Sequence, residues 1–267
     1  MRYFDFHTHA FPDSLAERAL KGLAVTSGIA PATDGTLKGL RAKMAENGID
    51  GAMLLPVATK PSQQTTINNW AADIMGGGLY CCGSVHPDAE DALSEIDRIK
   101  SLGLYGVKFH SEYQGFCPHE ERMFPIYEKI AELGLIAVFH GGWDPYSQDI
   151  IRATPQSFAA VAETFPKLTI VAAHLGGMNL WDDIEKYTAG RYENLWFDVG
   201  VISRYIEDDQ LLRIIRKQGA GKVLFGSDCP WDEPANEIAM IQRLPITDEE
   251  KELIFHGNAE RLLGIKI

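Results

Sequence analysis

The chain has 267 residues, enough to bury a large core without disulfide or metal staples, and it falls within the size range of one α/β barrel domain. Its 25 basic and 37 acidic side chains give a formal charge of −12, which disfavours a nucleic-acid backbone or an anionic membrane as the main partner. The four cysteines include no Cys-x-x-Cys pair and suggest no disulfide framework. With no apolar run near the ~20 residues of a membrane span and no signal-peptide pattern, we expect a cytoplasmic protein that binds a small molecule.

Short apolar runs alternate with amphipathic segments along the whole chain. The apolar runs predict eight strands at residues 2–9, 51–57, 79–85, 105–110, 135–140, 168–174, 194–199 and 222–228. Residues 12–33 read as an irregular or partly helical insertion. Helical periodicity follows at residues 37–47, 67–75, 91–102, 120–133, 155–165, 181–188 and 211–219, and two helices finish the chain. The last of these begins after Thr247, which forms a capping-box pattern with Glu250.

Eight strand–helix units favour one fold. Parallel neighbours need a crossover, which the intervening helices supply, so the alternation predicts a parallel sheet. Eight such units predict a closed (β/α)₈ TIM barrel that occupies residues 1–267 as a single domain. An open doubly wound sheet is disfavoured because no Gly-x-Gly-x-x-Gly follows an early strand.

Polar side chains end five of the predicted strands, at the edge where a barrel places its active site. A polar group that ends an apolar strand costs free energy unless it is paired or bound to a metal. Five such strand ends in one barrel therefore indicate a functional site rather than packing. The residues are His7 and His9, Lys108 and His110, His140, His174, and Asp228.

The residue types fit a catalytic metal. His7 and His9 are two apart on a strand and so share a face, and neutral imidazole is a good ligand for zinc and its neighbours. His140 and Asp228 complete a set of four N and O ligands. A bound divalent ion lowers the pKa of its water from ~15.7 towards ~7, and His174 or Asp228 would then move the proton.

In its motifs the chain resembles the amidohydrolase superfamily. The similarity is greatest to the amidohydrolase-related branch, which includes aminocarboxymuconate-semialdehyde decarboxylase, γ-resorcylate decarboxylase and dicarboxylate lactonases. The resemblance is carried in order by Asp-Phe-His-Thr-His at 5–9, Gly-Val-Lys at 106–108, Val-Phe-His-Gly-Gly at 138–142, Ala-His-Leu-Gly-Gly at 173–177, Phe-Gly-Ser-Asp-Cys-Pro at 225–230 and Gly-Asn-Ala-Glu-Arg-Leu-Leu at 257–263.

The resemblance implies one divalent ion held by a fixed set of residues: His7, His9, His140 and Asp228. It also implies that His174 contacts substrate or metal-bound water. Two ions bridged by a carbamylated Lys108 are an alternative, with His140 and His174 on the second ion. Zinc is the first expectation for the metal and manganese the second.

Three functions follow as hypotheses. The first is a metal-dependent hydrolase of a small-molecule amide, lactone or related C–N or C–O bond. The alternative is a non-oxidative, metal-dependent decarboxylase of an aromatic or muconate-type acid. A non-enzymatic binding protein on a retained barrel is the third, and a homodimer is a further expectation.

Other residues have weaker predicted roles. Asp5 is expected to orient the strand or make local hydrogen bonds rather than bind metal, and Asp198 at the end of the seventh strand is an intermediate case. The simpler alternative for Lys108 is that it pairs with a carboxylate at the barrel mouth. Aromatic and amide residues in the strand-end loops are candidates for a pocket wall: Tyr113, Gln114, Trp143, Trp181 and Trp231. His119 and His256 are expected to be uninvolved.

Overall fold

The computed structural model describes residues 1–267, and eight parallel strands alternate with helices along it. The strands are β1 (Phe4–Thr8), β2 (Gly51–Leu54), β3 (Leu79–Cys81), β4 (Gly106–Phe109), β5 (Ile136–Phe139), β6 (Thr169–Ala172), β7 (Leu195–Asp198) and β8 (Val223–Leu224). Each strand pairs in parallel with the next one along the chain, in one sheet from β1 to β3 and another from β4 to β8.

Backbone hydrogen bonds join the two sheets at both junctions. Between β3 and β4, Lys108 N–H donates to the Gly83 carbonyl at 2.8 Å. Between β8 and β1, Phe6 N–H donates to the Phe225 carbonyl at 2.8 Å and His9 N–H to the Cys229 carbonyl at 2.6 Å. The ring of strands therefore closes, and the predicted (β/α)₈ barrel is confirmed.

Helices surround the ring and turn their apolar faces to it. They are α1 (Asp13–Ser27), α2 (Leu37–Glu46), α3 (Gln64–Ile74), α4 (Ala92–Ser101), α5 (Ser111–Gln114), α6 (Phe124–Glu132), α7 (Pro155–Thr164), α8 (Trp181–Tyr187), α9 (Asp208–Gln218), α10 (Pro234–Arg243), α11 (Asp248–Glu252) and α12 (Asn258–Leu263). In α9 the buried residues Leu211, Ile214 and Ile215 show the spacing of one helical face. The capping box of Thr247 and Glu250 is present at the start of α11. No helix has the length and apolar character to span a membrane.

The structure differs from the sequence prediction in three elements. The insertion at 12–33 contains a regular helix, α1, which buries only Ala16 and Leu20. Strand β3 ends at Cys81 rather than at 85, because Ser84 N–H donates to the Asn68 side chain at 2.7 Å instead of continuing the ladder. The regular part of β8 covers only two residues, and the chain beyond it meets β1 through separate backbone hydrogen bonds and an isolated bridge between Cys229 and Thr8.

Apolar packing links strands from both sheets below the site. Phe4 and Phe6 of β1 cluster with Val138, Val171 and Leu224, and all five side chains are fully buried. A larger cluster fills the space between the strands and the helices. The strand ends that carry the polar residues therefore stand on a rigid, close-packed base.

The loop after β5 depends on Gly142. This residue has φ +82°, and a Cβ at its position would lie 2.2 Å from Met178 N and 2.4 Å from Met178 O. Gly134 also has a positive φ, +63°, but no atom lies within 4 Å of its Cβ position.

We expect Gly134→Ala to lower the free energy of unfolding by about 1–2 kcal/mol through backbone strain alone. Gly142→Ala should cost a further ~1–3 kcal/mol through steric overlap, measured by urea denaturation. Equal losses for the two variants would contradict this account.

Candidate functional site

The carboxyl ends of the strands open into a cavity of about 810 Å³. All of the predicted site residues line it: His7, His9, Lys108, His140, His174 and Asp228. The structure therefore brings side chains from five strands to one place, as the barrel hypothesis predicts.

Three predicted ligands form a compact group at the base of this cavity. The Nε2 atoms of His7 and His9 lie 3.2 Å apart. Asp228 Oδ1 lies 3.4 Å from His7 Nε2 and 3.0 Å from His9 Nε2. These two nitrogens and one oxygen are near enough to one another to coordinate a shared ion.

Hydrogen bonds on the far side of each ring fix the tautomers of the two histidines. His9 Nδ1 lies 2.8 Å from the Leu55 carbonyl, which can only accept, so Nδ1 carries the hydrogen. His7 Nδ1 donates to Asp198 Oδ2 at 3.0 Å. Burial would raise the pKa of Asp198, but its electrostatic interaction and hydrogen bond with His7 outweigh burial and hold that pKa well below its usual range. Asp198 is therefore an ionised acceptor.

The Nε2 atoms of the two rings consequently face one another. Burial is the largest cause that lowers the pKa of His7, to about 4, so its ring is neutral at pH 7 and its Nε2 is a bare lone pair. This lone pair, His9 Nε2 and an Asp228 carboxylate oxygen meet at 3.0–3.4 Å. Such atoms repel unless a cation lies among them. The site is therefore built to receive positive charge.

Lys108 brings one cationic group to this place. Its Nζ is buried and lies 3.3 Å from His7 Nε2. It forms no ion pair with a carboxylate, so the simpler alternative from sequence does not hold. Burial lowers the pKa of Lys108, because a charged amine is disfavoured away from water.

His140 and His174 form a second histidine pair beside the first. His174 Nδ1 donates to the Gly200 carbonyl at 2.8 Å, so its Nε2 is free to accept from His140 Nδ1 at 3.0 Å. His140 Nε2 then remains buried with no hydrogen-bond partner. Burial, followed by the neighbouring imidazoles of His110 and His174, lowers the pKa of His140 well below its usual value, so its ring is neutral. His140 thus offers another lone pair, although it lies outside the compact group of His7, His9 and Asp228.

Backbone strain accompanies the site. His174 has φ 59° and Asp228 has φ 62°, a region that non-glycine residues seldom adopt. The surroundings hold both turns: His174 N–H donates to Asp198 Oδ1 at 3.2 Å, and Asp228 N–H donates to the His7 carbonyl at 2.8 Å. Asp198 therefore orients both His7 and His174, a larger role than the intermediate one predicted.

Asp5 supports the turn that carries Asp228. Its carboxylate accepts Ser227 N–H at 2.8 Å and the Ser227 hydroxyl at 2.5 Å. Burial is the main cause that raises the pKa of Asp5, to about 7. The predicted local hydrogen-bonding role of Asp5 is confirmed.

The predicted aromatic wall is present only in part. Tyr113, Trp143 and Trp231 line the cavity, as does His110. Gln114 does not, because its amide donates to the carbonyls of Ala58 and Val85 at 2.9 Å each. Trp181 instead donates from Nε1 to the His174 carbonyl at 3.2 Å, and so supports the β6 turn.

Sequence reasoning missed three charged residues in the cavity wall. Glu112 and Asp144 are buried there, and Arg18 of α1 reaches the wall from an exposed position. Asp144 follows the His-Gly-Gly motif of β5 by only two residues, which was the one usable signal. Glu112 and Arg18 lie in helices whose approach to the cavity has no local sequence signature.

The tautomers are directly measurable. In metal-free protein at pH 7.5 we expect His7 and His140 to be neutral rings that carry hydrogen on Nδ1, since burial lowers both pKa values and the partners of Nδ1 are fixed. Long-range ¹H–¹⁵N correlation spectra, assigned with His7→Gln and His140→Gln variants, report the protonated nitrogen. A hydrogen on Nε2 of His7 would contradict the proposed geometry.

The chain is similar in sequence to a known protein family and to one curated protein. A family model described as "Amidohydrolase" matches residues 4–265. A 2-amino-3-carboxymuconate-6-semialdehyde decarboxylase of Dictyostelium discoideum is 24% identical over 222 residues, which are 66% of this chain. The matched region spans only 58% of that curated relative.

Solved structures show the same fold. An uncharacterised TIM-barrel protein from Bordetella bronchiseptica superimposes with a TM-score of 0.81 at 21% identity over 99% of each chain. A dihydroxybenzoic acid decarboxylase from Polaromonas sp. JS666, with bound manganese and the inhibitor 2-nitroresorcinol, gives 0.75 at 16% identity over 98% of this chain and 96% of that one. At these identities the likeness establishes the fold alone.

Proposed function

The chain belongs to the amidohydrolase family, and from this premise we propose that it is a metal-dependent enzyme that decarboxylates a small carboxylic acid without an oxidant. Two of the similar proteins are named as decarboxylases. They support decarboxylation, the alternative expected from the sequence, better than hydrolysis, which was the first expectation. The family consists of enzymes, which disfavours the third hypothesis of a non-enzymatic barrel.

The observation that carries the metal proposal is the close approach of three possible ligand atoms. The Nε2 atoms of His7 and His9 face each other at 3.2 Å with Asp228 Oδ1 beside them. We propose that these three residues hold one divalent ion, with the unpartnered Nε2 of His140 as a fourth ligand. Zinc and manganese both suit imidazole and carboxylate ligands, and manganese is bound in the Polaromonas enzyme. A bridged pair through a carbamylated Lys108 stays a prediction.

Different residues of the chain take different parts in the proposed decarboxylation. When bound, a divalent cation would polarise an oxygen of the substrate and stabilise negative charge there. Lys108 Nζ, buried at the cavity base, attracts the substrate carboxylate to the same place. Loss of CO₂ leaves a carbanion that must take up one proton, so that R–COO⁻ and H⁺ become R–H and CO₂. We assign this proton transfer to His174, whose ring is held by Gly200 and Asp198: its Nε2, released from the hydrogen bond with His140, takes up a solvent proton and delivers it to the carbanion.

The walls of the cavity suit a small planar acid. Trp143, Tyr113 and Trp231 supply aromatic surface, and about 810 Å³ accommodates a one-ring substrate. Apolar walls also keep water from a carbanion-like centre, which strengthens electrostatic interactions inside the site. The homodimer and the cytoplasmic location remain predictions.

A direct assay separates the two reactions. Metal-loaded protein is incubated with hydroxybenzoates, muconate-type acids, lactones and amides, while CO₂ release and acid production are followed in parallel. We expect CO₂ from a carboxylic acid, and we expect chelator treatment or Asp228→Asn to reduce its rate by at least about a hundredfold, because the site loses its cation or one anionic ligand. Cleavage of a lactone or amide without CO₂ would establish the hydrolase alternative instead.

Asp198 should control metal affinity without being a ligand. Asp198→Asn keeps an oxygen near His7 Nδ1 but removes the charge that fixes and polarises the ring. We expect about 10–100-fold weaker Mn²⁺ binding, as for other partners of metal-bound histidines, measured by competition with a chelating dye. Asp73→Asn, an exposed change on α3, is the matched control and should bind as the wild type does. Unchanged affinity in Asp198→Asn would contradict the assigned role.

A further inference from the structure

A second group of buried polar side chains lines the cavity beside β4 and β5. We call it the acceptor subsite, and it consists of His110, Glu112 and Asp144. His110 follows β4 directly, Glu112 lies in α5, and Asp144 lies in the loop after β5. Their exposed fractions are 7%, 9% and 5%. The proposed reaction uses none of the three.

Each member of the acceptor subsite has one buried atom without a hydrogen-bond partner. These atoms are His110 Nδ1, Glu112 Oε2 and Asp144 Oδ2. Buried polar atoms in proteins are normally paired, so three unpaired ones around the same cavity indicate a ligand. The rest of the protein adds no donor to them.

The side chains are held in place by their other atoms. Glu112 Oε1 accepts Arg152 N–H at 2.8 Å and Ala153 N–H at 3.4 Å. Asp144 Oδ1 lies 3.5 Å from the Tyr113 hydroxyl. Because one oxygen of Glu112 is anchored to the backbone, its other oxygen has a fixed direction.

The spacing specifies the kind of group that fits. His110 Nδ1 and Glu112 Oε2 lie 3.7 Å apart, too far for a direct hydrogen bond. One donor atom about 2.9 Å from both satisfies them together, because twice that length exceeds their separation. An ionised carboxylate oxygen can only accept, so a donor shared by ionised Glu112 and an accepting His110 must bring at least two hydrogens. A primary amino group does so, whereas a hydroxyl brings one.

Charge favours the same group. Neither Glu112 nor Asp144 forms an ion pair with Lys or Arg. Burial raises the pKa of Asp144 to about 7 and raises the pKa of Glu112, so a cationic group among them favours their ionised forms. The Tyr113 ring stacks on His110 with centroids 3.5 Å apart, and Tyr146 packs edge-on against Tyr113 at 5.3 Å. Aromatic faces near carboxylates favour a nitrogen that carries positive charge.

We propose that the acceptor subsite binds a primary amino group of the substrate, so that the substrate is an amino-substituted carboxylic acid. Its carboxylate lies towards Lys108, and its amino group lies against His110, Glu112 and Asp144. This inference rests on the proposed function for the position of the carboxylate. The recognition of the amino group rests on the subsite itself.

Binding measurements on the Mn²⁺-loaded full chain test the proposal without requiring turnover. Benzoate is compared by calorimetry with the three aminobenzoate and the three hydroxybenzoate isomers. We expect one amino isomer to bind at least tenfold more tightly than benzoate and more tightly than its hydroxy counterpart. Glu112→Gln and Asp144→Asn replace an acceptor by a donor of the same shape. Each should reduce the amino preference at least fivefold and leave benzoate affinity within twofold.

Two exposed carboxylates provide matched controls. Glu121 lies shortly after Glu112 in the chain, and Asp149 lies in the same loop as Asp144. The variants Glu121→Gln and Asp149→Asn should keep the preference for the amino isomer. The proposal is overturned if no amino isomer exceeds benzoate in the wild type, if hydroxy isomers bind better, or if both subsite variants keep the preference. A second Mn²⁺ equivalent that Asp144→Asn removes would also overturn it, because the subsite would then be a metal site. An intact amino preference without CO₂ release from any acid would contradict the decarboxylase function alone.

Discussion

The Nε2 atoms of His7 and His9, held 3.2 Å apart beside the Asp228 carboxylate, form the contact on which the site depends. Neither ring can turn away without losing a partner, because the Leu55 carbonyl and Asp198 hold the opposite nitrogens. Repulsion between the His7 lone pair and the Asp228 carboxylate is therefore built into the fold, and a cation relieves it. Electrostatic preorganisation of this kind is effective because the donors need no rearrangement when the cation binds.

The barrel supplies the rigidity that such a contact requires. Closure between β8 and β1 brings Asp228 to β1 through the hydrogen bond of its own N–H to the His7 carbonyl. The left-handed turns at His174 and Asp228 are strained, and a well-packed base compensates that strain. Asp5 and Asp198 each tie two strand ends together, so side chains behind the proposed ligands determine where those ligands point.

Much of the fold could be predicted from the sequence. The period of the apolar runs identified all eight strands, and their order followed from the short crossovers. The ends of β3 and β8 could not be predicted, because a side chain from α3 and a bridge to β1 replace regular ladder bonds there. These are contacts between distant segments, and a local pattern carries no trace of them.

The candidate site, like the fold, could be predicted from the sequence only in part. Five site residues could be identified because they stand at strand ends: His7, His9, His140, His174 and Asp228. The orienting role of Asp198 became visible only from its contacts with two histidines. Glu112 and Asp144 looked like ordinary loop and helix acids until their burial without partners was visible. The sequence thus predicted which residues meet at the base of the cavity but not the charged residues in its walls.

Elemental analysis of the purified protein, combined with anomalous diffraction at the metal edge, tests the central claim most directly. The account predicts one divalent ion per chain, bonded at ~2.0–2.3 Å to the Nε2 atoms of His7 and His9 and to Asp228. A protein that retains no divalent metal after supplementation, or one whose ion lies away from these three residues, would contradict it.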